Sequence, residues 1–162
     1  MIKNLLLIRH AEAQFPTTAK RDFERDLTTN GVKQAMLLGV HINKLGLQFD
    51  AIYHSPAQRT FETTIGITKQ LDYDLRLIES EELYEATSNL FKAFVNRLDP
   101  QYRNVMIVAH NPAIAEVYAH YVMDIRDFSP ATSALLSFEI NDWNLVSGHM
   151  ATEEDYYYPS MR

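Results

Sequence analysis

Three features of this sequence predict a three-layer α/β/α domain built on a mostly parallel sheet. The short unbroken apolar runs Leu5-Leu6-Leu7-Ile8 and Val105-Met106-Ile107-Val108 have the length and continuity of strands buried on both faces. Each stops abruptly at polar residues, Arg9-His10 in one case and His110-Asn111-Pro112 in the other. Between them lie helical patterns long enough for the right-handed crossovers that parallel strands require. Ligands of such sheets bind outside the carboxyl ends of the strands, so Arg9, His10 and His110 stand where working residues belong.

The elements follow in order. After the first strand, residues 14–26 are polar and mixed in charge, with Pro16 and the cluster Lys20-Arg21-Asp22-Phe23-Glu24-Arg25-Asp26, and read as a surface loop beside the pocket mouth. Leu27-Thr28-Thr29-Asn30-Gly31 supplies hydroxyls that can cap a helix. Val32, Ala35, Met36 and Gly39 then follow at helical spacing up to a stop at Gly46. A second strand over 49–53 gives way to His54-Ser55-Pro56, and a helix begins soon after, with Gln58, Arg59, Glu62 and Thr63 in its first turns, running to about Leu71. Residues 74–78 form a weaker strand candidate and 79–85 an acidic loop.

Ser88 then caps a helix in which Leu90, Phe91, Phe94, Val95 and Leu98 make an amphipathic pattern, ended by Asp99-Pro100. The strand over 104–109 follows. Asn111 as cap and Pro112 at the first helical position start the last helix, with Ile114, Val117, Tyr118 and Tyr121 facing inward. Residues 134–140 and 143–149 flank Asn141-Asp142 with partial alternation, a hairpin signal. The tail 153–162, with Tyr156-Tyr157-Tyr158, reads as a flap over the body or a contact with a second chain.

The chain has 162 residues, the size of one domain over 1–162. A formal net charge of −6 argues against nonspecific binding to nucleic acid or to an anionic membrane. With no cysteine there is no disulfide and no thiolate nucleophile, which fits a reducing compartment. Lys3, the apolar run and Ala11-Glu12-Ala13 mimic a secretory signal, but Arg9 interrupts after four apolar residues where a signal core needs roughly 7–15. No segment approaches the roughly 18 apolar residues of a membrane span, and the expected location is cytoplasmic.

Two histidines and two arginines have reason to converge: Arg9 and His10 after one strand, Arg59 at a helix start, and His110 after another strand. Cationic groups around a nucleophile suit a phosphoryl group, whose transfer is catalysed mainly by positioning and electrostatic stabilisation. Arginine forks bind its oxygens bidentately, and a neutral imidazole nitrogen is a competent nucleophile at neutral pH. His41, His120 and His149 lack paired metal-ligand spacing, and a solvated or core role suits them better. His54 ends a strand at the pocket edge, where a structural role is again favoured.

Arg9-His10-Ala11-Glu12 resembles the Arg-His-Gly signature of the histidine phosphatase superfamily, the phosphoglycerate mutase-like proteins, with Ala11 where many members have glycine. Further blocks look like the family's, in the family's order. They are Leu27-Thr28-Thr29-Asn30-Gly31 with Gln34-Ala35, Ser55-Pro56-Ala57-Gln58-Arg59-Thr60 with Glu62-Thr63, Leu83-Tyr84-Glu85-Ala86, Val108-Ala109-His110-Asn111-Pro112 and Ala131-Thr132-Ser133-Ala134. The short length, Arg-His-Ala and Leu-Tyr-Glu-Ala are most similar to the small branch typified by the phosphohistidine phosphatase SixA.

The resemblance implies a phosphoglycerate mutase-like fold and a phosphatase. His10 would be the nucleophile that becomes phosphorylated, and Arg9, Arg59 and His110 would complete the phosphate pocket. The acidic loop would supply a proton donor, Glu85 by the Leu-x-Glu pattern, with Glu81 and Glu82 close enough to compete. No metal or organic cofactor is called for. The expected substrate is phosphohistidine or another phosphorylated protein side chain. The alternatives are a phosphatase of small phosphorylated metabolites and a phospho-ligand binding module without turnover. Oligomeric state is not legible.

Overall fold

The computed structural model describes residues 1–160. Its strands are β1 (Ile2–Arg9), β2 (Ala51–His54), β3 (Leu77–Glu79), β4 (Asn104–Ala109), β5 (Ser133–Glu139) and β6 (Thr152–Tyr157). Its α-helices are α1 (Thr29–Lys44), α2 (Gln58–Thr68), α3 (Ser88–Asn96) and α4 (Ala113–Val122). All six strands join one sheet in the order β3-β2-β4-β1-β5-β6. The first four are mutually parallel, and β5 is antiparallel to both β1 and β6, so the sheet is mostly parallel.

Strand residues alternate between two separate cores, which is why β1 and β4 are apolar throughout. Leu5, Leu7, Val105 and Ile107 pack with Phe91, Phe94 and Val95 of α3 and with Ile114, Val117 and Tyr118 of α4. Leu6, Ile8, Met106 and Val108 face the other way, onto Ala35, Leu38 and Ile42 of α1 and Ile67 of α2. Helices therefore cover both faces, giving three layers. The chain leaves β1 for the α1 face and leaves β4 for the α4 face. These neighbouring strands consequently open a crevice at their carboxyl ends. Among the described residues no helix is long and apolar enough to cross a membrane.

Local chemistry sets most boundaries. The Thr28 hydroxyl accepts from Gly31 N at 2.9 Å to start α1, and Gly46 follows its end at φ +73°. The buried stripe of α1 is Gly31, Ala35, Leu38, Gly39 and Ile42, whereas Val32 and Met36 are exposed. Thr87, one residue before the expected Ser88, caps α3 by accepting from Leu90 N at 3.2 Å, and Leu90 itself faces solvent. Pro112 is the residue before α4 and not its first helical residue, while the Asn111 carboxamide still reaches Ala115 N at 3.3 Å. The helix α2 stops at Thr68, short of Leu71, and β3 comprises the three residues Leu77–Glu79, offset from the expected 74–78.

The largest correction concerns the C-terminal hairpin. Residues 143–149 are not its second strand. Trp143–Leu145 is a single 3₁₀ turn, started by the Asp142 carboxylate accepting from Asn144 N at 2.9 Å. Trp143 and Val146 are buried three residues apart, a turn spacing that imitates alternation. The partner of β5 is β6, taken from the sequence as a flap or contact tail. Its acidic run Thr152-Glu153-Glu154-Asp155 has low strand propensity, and cross-contacts hold it. Tyr118 donates to Glu153 at 2.7 Å, Arg126 to Glu153 at 2.9 Å and Ser137 to Glu154 at 2.7 Å. The last two residues of that tail, Met161 and Arg162, lie outside the described residues.

Candidate active site

The register of β1 on β4 pairs Arg9 with Ala109, and His10 N donates to Ala109 O at 3.1 Å, so His10 and His110 leave adjacent strands side by side. Their ring centroids are 5.3 Å apart. Arg59 arrives from the first turn of α2. The structure thus brings Arg9, His10, Arg59 and His110 to one cavity of about 280 Å³, with Glu85 on its wall. Asp22, Arg25, Tyr84 and Asn111 line it too, none of which was expected as a site residue.

His10 is almost completely buried. Its Nδ1 lies 2.7 Å from the Ala11 carbonyl, and a carbonyl only accepts, so Nδ1 carries the hydrogen and Nε2 keeps a free lone pair. Burial first, then Arg59 and Arg9, lower its pKa to about 4, with the Ala11 bond working the other way. Ala11, where the signature has glycine, is buried, and its N–H donates to the Thr63 hydroxyl at 2.9 Å. Thr63 in turn donates to Arg59 O at 2.7 Å and couples the His10 loop to the arginine's turn.

The tautomer of His110 follows from a chain of hydroxyls. Thr60 Oγ1 donates to carbonyls, at 2.7 Å to Ser55 O and to Ala57 O. Ser55 Oγ, 2.9 Å from Thr60 Oγ1, therefore donates to it and accepts from His110 Nε2 at 2.7 Å. That leaves His110 Nδ1 bare and 3.4 Å from Arg59 Nη2. Burial, then His10 and Arg59, push its pKa down to about 3. Both imidazoles are neutral at pH 7.

Neither guanidinium is saturated. Arg9 Nη1 donates to Phe128 O at 2.9 Å, a carbonyl that Asn111 Nδ2 also holds at 2.9 Å. Arg59 Nη1 and Nη2 donate to Asp22 O at 2.8 Å and Asp22 Oδ2 at 3.1 Å, so its partner is Asp22 and not the neighbouring Glu62. Among the described residues, the buried Nε of Arg9 and that of Arg59 have no partner. Asp22 itself is held low: burial opposes its ionisation, but donation from Arg25 at 2.9 Å and Tyr84 at 2.8 Å, with Arg59 beside it, outweighs that and sets its pKa at about 2.

The remaining candidates sort by position. Glu85 is exposed on the cavity wall, while Glu82 is paired with Arg97, and neither it nor Glu81 lines the cavity. The motif residues Glu12, Thr28, Gln34 and Glu62 are scaffolding. Gln34 accepts from Glu12 N at 2.9 Å, the Glu12 carboxylate accepts from the Thr28 hydroxyl at 2.7 Å, and Glu62 accepts from Leu27 N at 2.8 Å. His54 is buried and does not line the cavity, its Nδ1 on Ser55 O at 2.9 Å, and His41 pairs with Asp155. A larger cleft of about 400 Å³ between α1 and the residues after β6 contains none of the four converging groups.

A neutral nucleophilic nitrogen beneath two unsaturated guanidinium groups is a site for an anion with an electrophilic centre. Among the described residues no group of three or more His, Asp and Glu is placed to hold a metal ion.

Comparison with known proteins bears on the chain as a whole. Residues 5–91 match the model of the histidine phosphatase superfamily, branch 1. The mitochondrial serine/threonine-protein phosphatase PGAM5 of Rattus norvegicus is 39% identical over 69 residues, which is 43% of this chain and 23% of that protein. The 2,3-bisphosphoglycerate-dependent phosphoglycerate mutase of Bartonella bacilliformis is 34% identical over 90 residues, 52% of this chain and 43% of the mutase. This chain therefore spans less than half the length of these relatives. A protein assigned as the phosphohistidine phosphatase SixA of Nakamurella multipartita has a solved structure that superposes with a TM-score of 0.83 at 24% identity, over 98% of this chain and 97% of that one. The protein histidine phosphatase SixA in complex with tungstate gives 0.80 at 18% identity, over 94% and 95%. At these identities the likeness shows a shared fold.

Proposed function

We propose, from the premise that this chain belongs to the histidine phosphatase superfamily (branch 1), that it is a phosphatase working through a phosphohistidine intermediate on His10. One observation carries this: His10 offers a bare Nε2 in the same cavity as Arg9, Arg59 and His110. In the first step Nε2 attacks phosphorus and the leaving group departs with the bonding pair. In the second, water attacks the phosphoryl-His10 and the pair returns to Nε2. The guanidinium groups of Arg9 and Arg59, which line the cavity, suit the equatorial oxygens, whose charge is what the site must stabilise. His110, once a dianion sits beside it, gains a reason to take up a proton at Nδ1 and donate it as a hydrogen bond.

Glu85 is the proton donor in this scheme for leaving groups that need one, because it alone of Glu81, Glu82 and Glu85 lines the cavity. The preferred substrates are phosphohistidine and other phosphorylated protein side chains. A cavity of about 280 Å³ open to solvent admits a protruding side chain, and PGAM5 and SixA are named as protein phosphatases. The proposal takes residues 1–162 as one domain, acting in the cytoplasm, without a cofactor and without nucleic acid or membrane as partner.

The test is turnover of a phosphohistidine peptide against a panel of phosphomonoester metabolites, by the wild type and by His10→Ala, with trapping of acid-labile phosphoprotein. Higher efficiency on a metabolite would replace the preferred substrate class. Phosphate binding without turnover would leave a binding module.

A further inference from the structure

We propose that Asp22 and Tyr84 form a leaving-group subsite that recognises the protonated imidazole ring of a phosphohistidine side chain and selects it over phosphate esters. This rests on the phosphatase reading above and gives that site its substrate class.

The starting observation is a carboxylate inside an anion cup. The Asp22 carboxylate, at the head of the 3₁₀ turn Asp22–Glu24, lines the cavity with His10 and His110 and is half exposed at its edge. Oδ2 accepts from Tyr84 at 2.8 Å and from Arg59 Nη2 at 3.1 Å, and Oδ1 accepts from Arg25 at 2.9 Å. A phosphoryl group seated on Arg59 competes for Nη2, but the bonds to Arg25 and Tyr84 keep the carboxylate at the rim. A second anion there repels a phosphoryl dianion. For an ester, whose leaving oxygen bears no positive charge, the cost has no return.

Phosphohistidine differs. Its leaving group is an imidazole whose far nitrogen can take a proton with an ordinary pKa of about 6.5, so about a quarter of free rings carry it at pH 7 and a facing carboxylate raises that share. A ring N–H⁺ pointing out of the cup meets an ionised carboxylate, and the charge-assisted hydrogen bond offsets the repulsion. Asp22 is suited to accept and unsuited to donate: with its pKa at about 2 it holds no proton for an alkoxide at working pH. Tyr84 supplies the wall. Its ring lies at 73° to that of His110 with centroids 5.8 Å apart, and Phe23 braces it at 5.4 Å, close to perpendicular. A flat cationic ring entering this mouth gains an aromatic neighbour as well as an anion.

The step balances without a proton transfer. His10 Nε2 forms a bond to phosphorus as the substrate's P–N bond breaks, the bonding pair goes to the leaving nitrogen, and the far nitrogen keeps its proton. A neutral imidazole departs. Water then forms the O–P bond, the P–N bond to His10 breaks, and the proton from water goes to the phosphate product or to solvent.

The experiment uses the full chain and its Asp22→Asn variant, with a phosphohistidine peptide and p-nitrophenyl phosphate as substrates and inorganic phosphate as competitive inhibitor. The expected result has two opposite signs: kcat/KM for the phosphohistidine peptide falls at least tenfold, while the inhibition constant for inorganic phosphate improves at least threefold. Asp22→Glu restores part of the peptide activity. A variant that binds phosphate more weakly and turns over both substrates less overturns the proposal, because mere loss of structure does that. So does peptide turnover within twofold of wild type, or a wild type that prefers the ester. Should neither substrate be turned over in a His10-dependent way, the phosphatase reading itself fails and the subsite falls with it.

Discussion

His10 should remain unprotonated at a pH where a free histidine is almost fully charged. Burial is the chief cause of its lowered pKa, about 4 against 6.5, followed among the lowering causes by Arg59 and Arg9. At pH 5 an ordinary imidazole would be only about 3% neutral, whereas one titrating near 4 is about 90% neutral, so the nucleophile stays available. The assay is a titration of the ring Cε1–H resonances by NMR from pH 7.5 to 4, with His10→Ala for assignment and Arg59→Gln as the perturbation. Removing the guanidinium should raise the His10 midpoint while leaving it below 6.5, since burial is the larger cause. The same shift has a stability consequence. The unfolded chain binds this proton near 6.5 and the folded one only near 4, so stability falls as pH drops through that window, in full by on the order of 3 kcal/mol for His10. His110 acts in the same direction, down to about 3. Asp22 works later: its stabilisation is present above about 4 and is lost as pH falls through about 2. A His10 midpoint at or above 6 in the wild type would refute the burial argument.

Other outcomes test the surrounding frame. Arg59→Lys keeps a charge but loses the fork that reaches Asp22 with two nitrogens and sits 3.4 Å from His110. Steady-state kinetics should show kcat down by about 10²-fold, the usual scale for one lost transition-state donor, and a variant within threefold of wild type would remove Arg59 from the site. Ser55→Ala strips the acceptor from His110 Nε2–H and from Ala57 N. Leaving a buried donor unmet costs about 1–3 kcal/mol, read as a melting temperature lower by about 2–4 °C per kcal/mol. An unchanged melt would mean that another group satisfies His110. Gly31→Ala places a Cβ 2.0 Å from Glu12 O, the carbonyl on which Thr28 N also closes at 3.0 Å. Since the obstacle is backbone, relief requires moving the His10-Ala11-Glu12 loop, at about 1–3 kcal/mol, with activity falling alongside stability. Full activity with a wild-type melt would contradict that close approach.

Much of this molecule was legible because its central strands are buried on both sides. Such a strand needs no alternation and shows as an apolar block, so β4 falls on the expected 104–109 and β1 contains the expected Leu5–Ile8 core. The polar residues that end these blocks, His10 and His110, lie together for the same reason: parallel neighbours in register finish at one edge. The edge strand β6 was invisible, since it owes its place to pairing with β5 and to Tyr118, Arg126 and Ser137, none of them near it in sequence. Asp22 and Arg25 were read as members of a charged surface loop. Composition alone cannot distinguish a solvated carboxylate from one laid across an arginine.

By itself the sequence determined a layered α/β chain with two histidines and two arginines at one end of its sheet, because burial and capping write local, repeating signals. Only the tertiary structure decided that Asp22 lies on Arg59, thirty-seven residues away, and that Ser55 orients His110, fifty-five residues away. Those choices depend on which loop folds back over which strand end, a matter of long-range packing that no window of neighbouring residues encodes.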